Sequence, residues 1–237
     1  MNIALIIAGG NGQRMHQDIP KQFINVDDKP VIIYTLEAFQ KHPDIDSIYV
    51  VCLNGWHEIL CAYAKQFEIS KLKKIVCGGN SGMESIRNGI MAINQDYNDE
   101  DIVLVHDAIR PMVSQGIISD NIAKCQLYGS SIASIPCGEA MLETLDKKIS
   151  TSQYDRDKLM RAQTPQAFPL NKLVWAHEEA IKRGITNSVA SCTLMIELGE
   201  NVYFSAGSEK NIKLTTPDDI EIFKALLATK KTTWLKK

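Results

Sequence analysis

Apolar and polar positions along this chain alternate between two periods. Residues 2–7 (N-I-A-L-I-I) form a short continuous apolar run with β-branched members, which predicts a strand buried on both faces. Residues 30–41 (P-V-I-I-Y-T-L-E-A-F-Q-K) change to helical spacing, with Pro30 at the helix start. The same succession continues: strand 47–53, helix 56–67, strand 74–77, helix 85–93, strand 101–106, helix 115–128 closed by Gly129, and strand 131–135 ended by Pro136. Asn88-Gly89 reads as a weak point inside the third helix. Strands alternating with helices predict a parallel sheet covered on both faces.

The pattern breaks between Cys137 and Arg156. Residues 143–151 carry a charged turn between short alternating runs, which predicts a hairpin arm spanning about 137–156. Beyond it come a helix over 170–183 ending at Gly184, a helical turn over 193–198 and a strand over 202–206. Residues 212–215 are short and extended, and a last helix starts at Pro217 with Thr216 as N-cap. No linker interrupts the pattern, so the expectation is one domain over 1–237 with an arm.

Length and composition fit that picture. The chain has 237 residues, 45% of them hydrophobic, enough for one sizeable core. The formal charge of -2 gives no field that would attract nucleic acid or an anionic membrane. No apolar run reaches the roughly 18 residues of a membrane span, and no secretory leader is expected at Met1. The six cysteines, at 52, 61, 77, 125, 137 and 192, show no C-x-x-C pairing and read as free thiols of a reducing, cytoplasmic compartment.

Chemistry concentrates after the strands. Ala8-Gly9-Gly10-Asn11-Gly12-Gln13-Arg14 follows the first, with Pro20-Lys21-Gln22-Phe23 close behind. Glycine-rich backbone N–H groups with two cations make an anion site. Taken alone, the stretch is equally an ordinary turn flanked by solvated charges. It is not a P-loop, and Met15 breaks the G-x-G-x-x-G order of a dinucleotide turn. Further clusters stand at 78–85, at Asp107 to Arg110, and at Asn211 to Lys213. In open α/β sheets such clusters meet at the carboxyl edge of the strands. His106, beside Asp107, reads as a structural histidine at a strand end.

The combination is specific. A-G-G-N-G-Q-R-M (8–15), P-K-Q-F (20–23), V-H-D-A-I-R-P (105–111), D-R-x-x-L (155–159), Q-T-P-Q-A-F (163–168) and N-I-K-L-T-T-P-D-D (211–219) run in order over nearly the whole chain. They resemble the signature of the cytidylyltransferases that act on 2-C-methyl-D-erythritol 4-phosphate and on ribitol 5-phosphate. The resemblance implies a Rossmann-like nucleotidyltransferase core, mostly parallel with helices on both faces, and a β-arm that forms a homodimer. It also implies CTP, Mg²⁺ and a polyol phosphate as ligands, with transfer of CMP and release of pyrophosphate. The acceptor it implies first is methylerythritol phosphate of the isoprenoid precursor pathway, with ribitol 5-phosphate as the alternative. A reading of another class is a silent, CTP-binding paralogue.

By the same resemblance, Arg14, Lys21, Lys213 and Arg156 are the catalytic cations. Ala8, Gly9, Gly10, Gly12, Gly79, Asn80 and Ser85 hold the nucleotide. Asp107, Arg110, Arg156 and Lys213 hold the acceptor, and Asp107 is the candidate metal ligand. Catalysis of this kind is positioning and charge neutralisation, with no protein nucleophile.

The chain also departs from the pattern. Gly82 stands where the family's G-G-x-x-R-x-x-S has arginine, and Glu139 to Leu142 replace D-T-x-K. Residues 186–191 (T-N-S-V-A-S) lack the acids of T-D-D-A. These changes lie mostly on the acceptor side and the arm, and point to altered specificity or reduced activity. Arg87, one turn past Gly82, is the candidate replacement cation.

Overall fold

A computed structural model describes residues 1–10 and 19–231, with the backbone only at Lys230 and Lys231. The first strand, β1 (Asn2–Ala8), fills the middle of the sheet as its apolar run predicts. A 3₁₀ turn at Lys21–Phe23 leads to a small ribbon, β2 (Asn25–Val26) and β3 (Lys29–Pro30). There follow α1 (Val31–Gln40), β4 (Ser47–Cys52), α2 (His57–Gln66), β5 (Leu72–Cys77), α3 (Gly82–Asn94), β6 (Ile102–Asp107), α4 (Gln115–Tyr128) and β7 (Ser131–Pro136). The arm strands are β8 (Met141–Glu143) and β9 (Ser152–Tyr154). The chain ends with β10 (Met160–Pro169), α5 (Leu170–Lys182), α6 (Ser191–Glu197), β11 (Phe204–Ala206) and α7 (Pro217–Lys231).

Seven strands form the central sheet in the order β11-β7-β10-β6-β1-β4-β5. Six run in one direction, and β10 runs against both neighbours, β6 and β7. The sequence pattern missed β10. Pro165 and the polar Gln163 and Gln166 argue against an inner strand, but the ladder to β7 shifts register between Ala162 and Gln166. That irregularity accommodates the proline, and Ala167 and Phe168 beyond it are fully buried.

Side chains of β1 divide between two cores, as a period of two requires. Ala4, Ile6 and Ala8 share one cluster with residues of α1, α2 and α4, while Ile3 and Leu5 share the other with residues of α3, α5 and α6. A third cluster packs Phe223 of α7 with Val26, Val31, Ile109, Met112 and Leu214. The glycine expected to weaken α3 instead lets it reach the sheet. A methyl group on Gly89 would lie 2.5 Å from Leu5 Cδ1 and 2.7 Å from Val51 Cγ2, so the helix runs unbroken through it.

Helix ends follow the sequence signals. Gly129 closes α4 in the left-handed conformation, φ 75°. Thr216 and Asp219 cap α7 reciprocally: Thr216 N–H donates to Asp219 Oδ2 at 2.8 Å and Asp219 N–H to Thr216 Oγ1 at 3.4 Å. The arm is a two-stranded hairpin with the charged turn in its loop, although the short alternating runs expected within 143–151 fall almost wholly in that loop and the strands lie just outside it. There Lys147 N–H donates to Thr144 Oγ1, and Lys148 N–H to Asp146 Oδ1. Leu142, Leu145 and Ile149 point outward from it, mostly exposed.

Candidate active site

Strand order sets the location. The chain leaves β1 for β4 and β5 on one side, then returns to place β6 on the other. The carboxyl end of β1 is therefore a switch point, where open α/β sheets form a ligand crevice. Gly9 and Gly10 emerge there. Gly12 and Arg14 lie outside the described residues.

Two glycine turns cross above the end of β4. A methyl on Gly9 would sit 3.1 Å from Ser85 Oγ and 3.5 Å from Gly78 Cα, and one on Gly78 would sit 3.3 Å from Gly9 Cα. Gly78 N–H donates to Cys52 O at 2.9 Å, and Leu53 N–H to Ala8 O at 3.2 Å. Ala8, Gly9, Gly79 and Ser85 are thus brought together as expected. Ser85 is buried, and its hydroxyl accepts from Gly79 N–H at 3.0 Å. Asn80 N–H donates to Glu84 Oε2 at 2.8 Å, while Ser81 Oγ caps α3 by accepting from Glu84 N–H. The loop's own bonds hold these two N–H groups, so its backbone shape is fixed from within.

Gln22 is the residue that sequence reasoning passed over. It is 2% exposed, and its amide donates to Ala8 O at 2.8 Å and Gly10 O at 2.9 Å, pinning both sides of Gly9. Lys21 precedes it on the same 3₁₀ turn, which Phe23 anchors by stacking on Trp56 at 4.5 Å.

On the other side of β1, Asp107 ends β6. Its Oδ2 accepts from Arg110 Nε at 3.0 Å and its Oδ1 from Lys213 Nζ at 3.1 Å. Arg110 also donates to Asn211 O at 2.8 Å. Burial alone would raise the Asp107 carboxyl, but Lys213 and then Arg110 hold it below its ordinary value. Two cations thus share one carboxylate, leaving one positive charge in excess for an anion.

Behind them lies a closed relay. Asp107 N–H donates to Thr164 Oγ1 at 3.1 Å, Thr164 lies 3.0 Å from His106 Nδ1, and His106 Nε2 lies 3.2 Å from Arg110 O. A carbonyl can only accept, so Nε2 carries the proton and Nδ1 accepts from the threonine hydroxyl. His106 is fully buried, and burial pushes its pKa down to about 4. It is the neutral structural histidine its position suggested. Asn211, also fully buried, donates to Thr164 O at 2.8 Å and so seats the loop that carries Lys213.

These groups line a cleft of about 370 Å³, with Ile7, Gln163, Gly82 and residues 189–193 on its other walls. Two cations singled out in the sequence lie away from this cleft. Arg156 donates to Gly138 O at the base of the arm, with a largely exposed side chain, and does not line the cleft. Arg87 faces Glu84 at 3.8 Å and lines a different cavity, so it is not in the cleft that Gly82 lines. Asp107 is the one carboxylate among the described lining residues, and each of its oxygens carries a cation. That donor set does not make a protein metal cage.

A switch-point cleft with cations gathered on one strand-end carboxylate, and two glycine turns at neighbouring strand ends, suits an α/β protein that binds phosphate groups. The model of the IspD family, 2-C-methyl-D-erythritol 4-phosphate cytidylyltransferase, matches residues 2–229. The chain belongs to this family and is a nucleotidyltransferase, specifically a cytidylyltransferase. It is 44% identical to the ribitol-5-phosphate cytidylyltransferase of Lacticaseibacillus paracasei over 97% of this chain and 99% of that one. It is 35% identical to the 2-C-methyl-D-erythritol 4-phosphate cytidylyltransferase of Clostridium botulinum (strain Loch Maree / Type A3), over 95% and 97%. The crystal structure of the Francisella tularensis 2-C-methyl-D-erythritol 4-phosphate cytidylyltransferase superposes with a TM-score of 0.78 at 26% identity, covering 95% of this chain and 99% of that one.

Proposed function

We propose that the protein transfers CMP from CTP to ribitol 5-phosphate. An oxygen of the acceptor phosphate attacks the α-phosphorus in line. A new P–O bond forms as the bond to the bridging oxygen breaks, and pyrophosphate leaves. The attacking phosphate is already ionised, so no base is required, in keeping with the neutral, buried His106.

The observation that carries the reading is the pair of cations on Asp107 at the switch-point cleft. Arg110 and Lys213 offer a phosphate one unbalanced positive charge. Ribitol phosphate moves ahead of methylerythritol phosphate because a relative named for it is 44% identical, against 35% for one named for the latter. The departures at Gly82 and at Val189, Ala190 and Ser191 also lie on this cleft. In this reading the Gly9–Gly10 turn, Arg14 and Lys21 hold the triphosphate. Gly79, Asn80 and Ser85 face the base. Mg²⁺ bound to the triphosphate would supply further neutralisation of its charge, with no ligand assigned to it among the described cleft residues. The arm, with its outward Leu142, Leu145 and Ile149, pairs two copies and presents Arg156 to the partner's cleft. The compartment is the cytoplasm.

Pyrophosphate release with CTP, Mg²⁺ and a panel of ribitol 5-phosphate, methylerythritol 4-phosphate and glycerol 3-phosphate tests this. Release with ribitol 5-phosphate is expected. Preference for methylerythritol 4-phosphate overturns the acceptor, and CTP binding without release from any acceptor favours the silent paralogue.

A further inference from the structure

A second cavity, of about 350 Å³, lies along the seam of α3 and α5 and shares no lining residue with the Asp107 cleft. Its polar wall is Ser81, Glu84 and Arg87 from the start of α3 and His177 from α5; its apolar wall includes Met83, Ile181 and Ile185. His177 is the anomaly. It is 2% exposed, and neither ring nitrogen has a hydrogen-bond partner. Buried polar atoms are nearly always paired, and an orphan needs a reason. Burial first, and the Arg87 charge second, push its pKa down to about 4, so at neutral pH the ring offers one N–H and one lone pair.

We infer that this cavity binds a small molecule with an oxyanion and an apolar body, the oxyanion on Arg87 and a hydrogen bond on His177. Arg87 suits the task. Its contact with Glu84 is a loose 3.8 Å ion pair, and a guanidinium meets carboxylate or phosphate oxygens in a planar fork. Glu84 gives the site a reach beyond itself, because its other oxygen holds Asn80 N–H in the loop beside Gly9. A ligand that draws Arg87 away leaves that carboxylate bonded to the loop alone. The inference concerns binding and is independent of the transfer reaction proposed above.

The test uses benzoate and phenyl phosphate as the two oxyanion probes and benzyl alcohol as the neutral one, at matched ionic strength. The ring ¹⁵N resonances of His177 report binding. The chain has five histidines, and H177Q assigns the signal by its loss. Saturable shifts with one or both oxyanions are expected, and which of them binds tells carboxylate from phosphate. Affinity should fall at least tenfold in R87M, a variant at a partly exposed position that keeps the fold. No saturable shift with either oxyanion, equal affinity in R87M, or equally tight binding of benzyl alcohol would overturn the inference.

Discussion

Gln22 offers the sharpest test of how the glycine turn is held. Its amide places both hydrogens on carbonyls, Ala8 O at 2.8 Å and Gly10 O at 2.9 Å, in a position 2% exposed. Two acceptors facing one amide fix its orientation, with NH₂ toward the loop. Gln22→Leu removes both bonds. Ala8 O keeps Leu53 N–H, and Gly10 is exposed to water, so the loss is that of two ordinary hydrogen bonds, about 1–3 kcal/mol in total. Gln22→Glu keeps the shape but aims two acceptor oxygens at two carbonyls and buries a charge, which costs more, about 3–5 kcal/mol. At about 2–4 °C per kcal/mol for a domain of this size, the two variants should melt roughly 2–12 °C and 6–20 °C below wild type. Thermal unfolding at pH 7 reads the order. Nucleotide titration should show weaker binding in both variants, because the turn they loosen is the one proposed to hold the triphosphate. A Gln22→Glu protein as stable as Gln22→Leu would refute the reasoning, since the opposed acceptor oxygens and the buried charge should add to the loss of the two bonds.

Three further outcomes are expected. Asp107→Asn strips the shared carboxylate from Arg110 and Lys213 and should cost about 2 kcal/mol at pH 7. Because the folded carboxyl lies below its ordinary 3.8, that stability is present above this value and lost as pH falls through the lower one; denaturation from pH 6 to pH 2 should fall less steeply in the variant. Gly89→Ala sets overpacking against Leu5 and Val51, about 1–3 kcal/mol, against about 1 kcal/mol of helix propensity, so urea unfolding should show a net loss; a gain would mean that α3 is not held close to the sheet. Asn121→Ala should cost about 3 kcal/mol by equilibrium unfolding, because the fully buried amide nitrogen, with two hydrogens to donate, lies within hydrogen-bond distance of Ser131 O, Pro165 O and Ser205 Oγ and so ties α4 to the strands.

What the sequence could convey depended on whether a residue's task leaves a pattern. β1 was legible because a strand covered on both faces must be apolar throughout, and α7 because Thr216 and Asp219 stand at capping distance. β10 was hidden because its polar residues serve partners far along the chain. Gln166 Oε1 accepts from Cys192 N–H at 2.9 Å, and Gln163 Nε2 donates to Ser208 O at 2.9 Å. Such bonds break the alternation that marks a strand, yet they lock β10 in place. The same distinction runs through the site. Asp107, Arg110 and Lys213 could be picked out as charges near strand ends, but their meeting depends on Asn211, which joins Lys213's loop to Thr164 through a backbone carbonyl. Gln22 likewise speaks only to carbonyls, and every residue has one, so no partner in the sequence betrays it. Charged chemistry was therefore readable by residue type, whereas the amides that position it became visible only when the backbone they grip was folded.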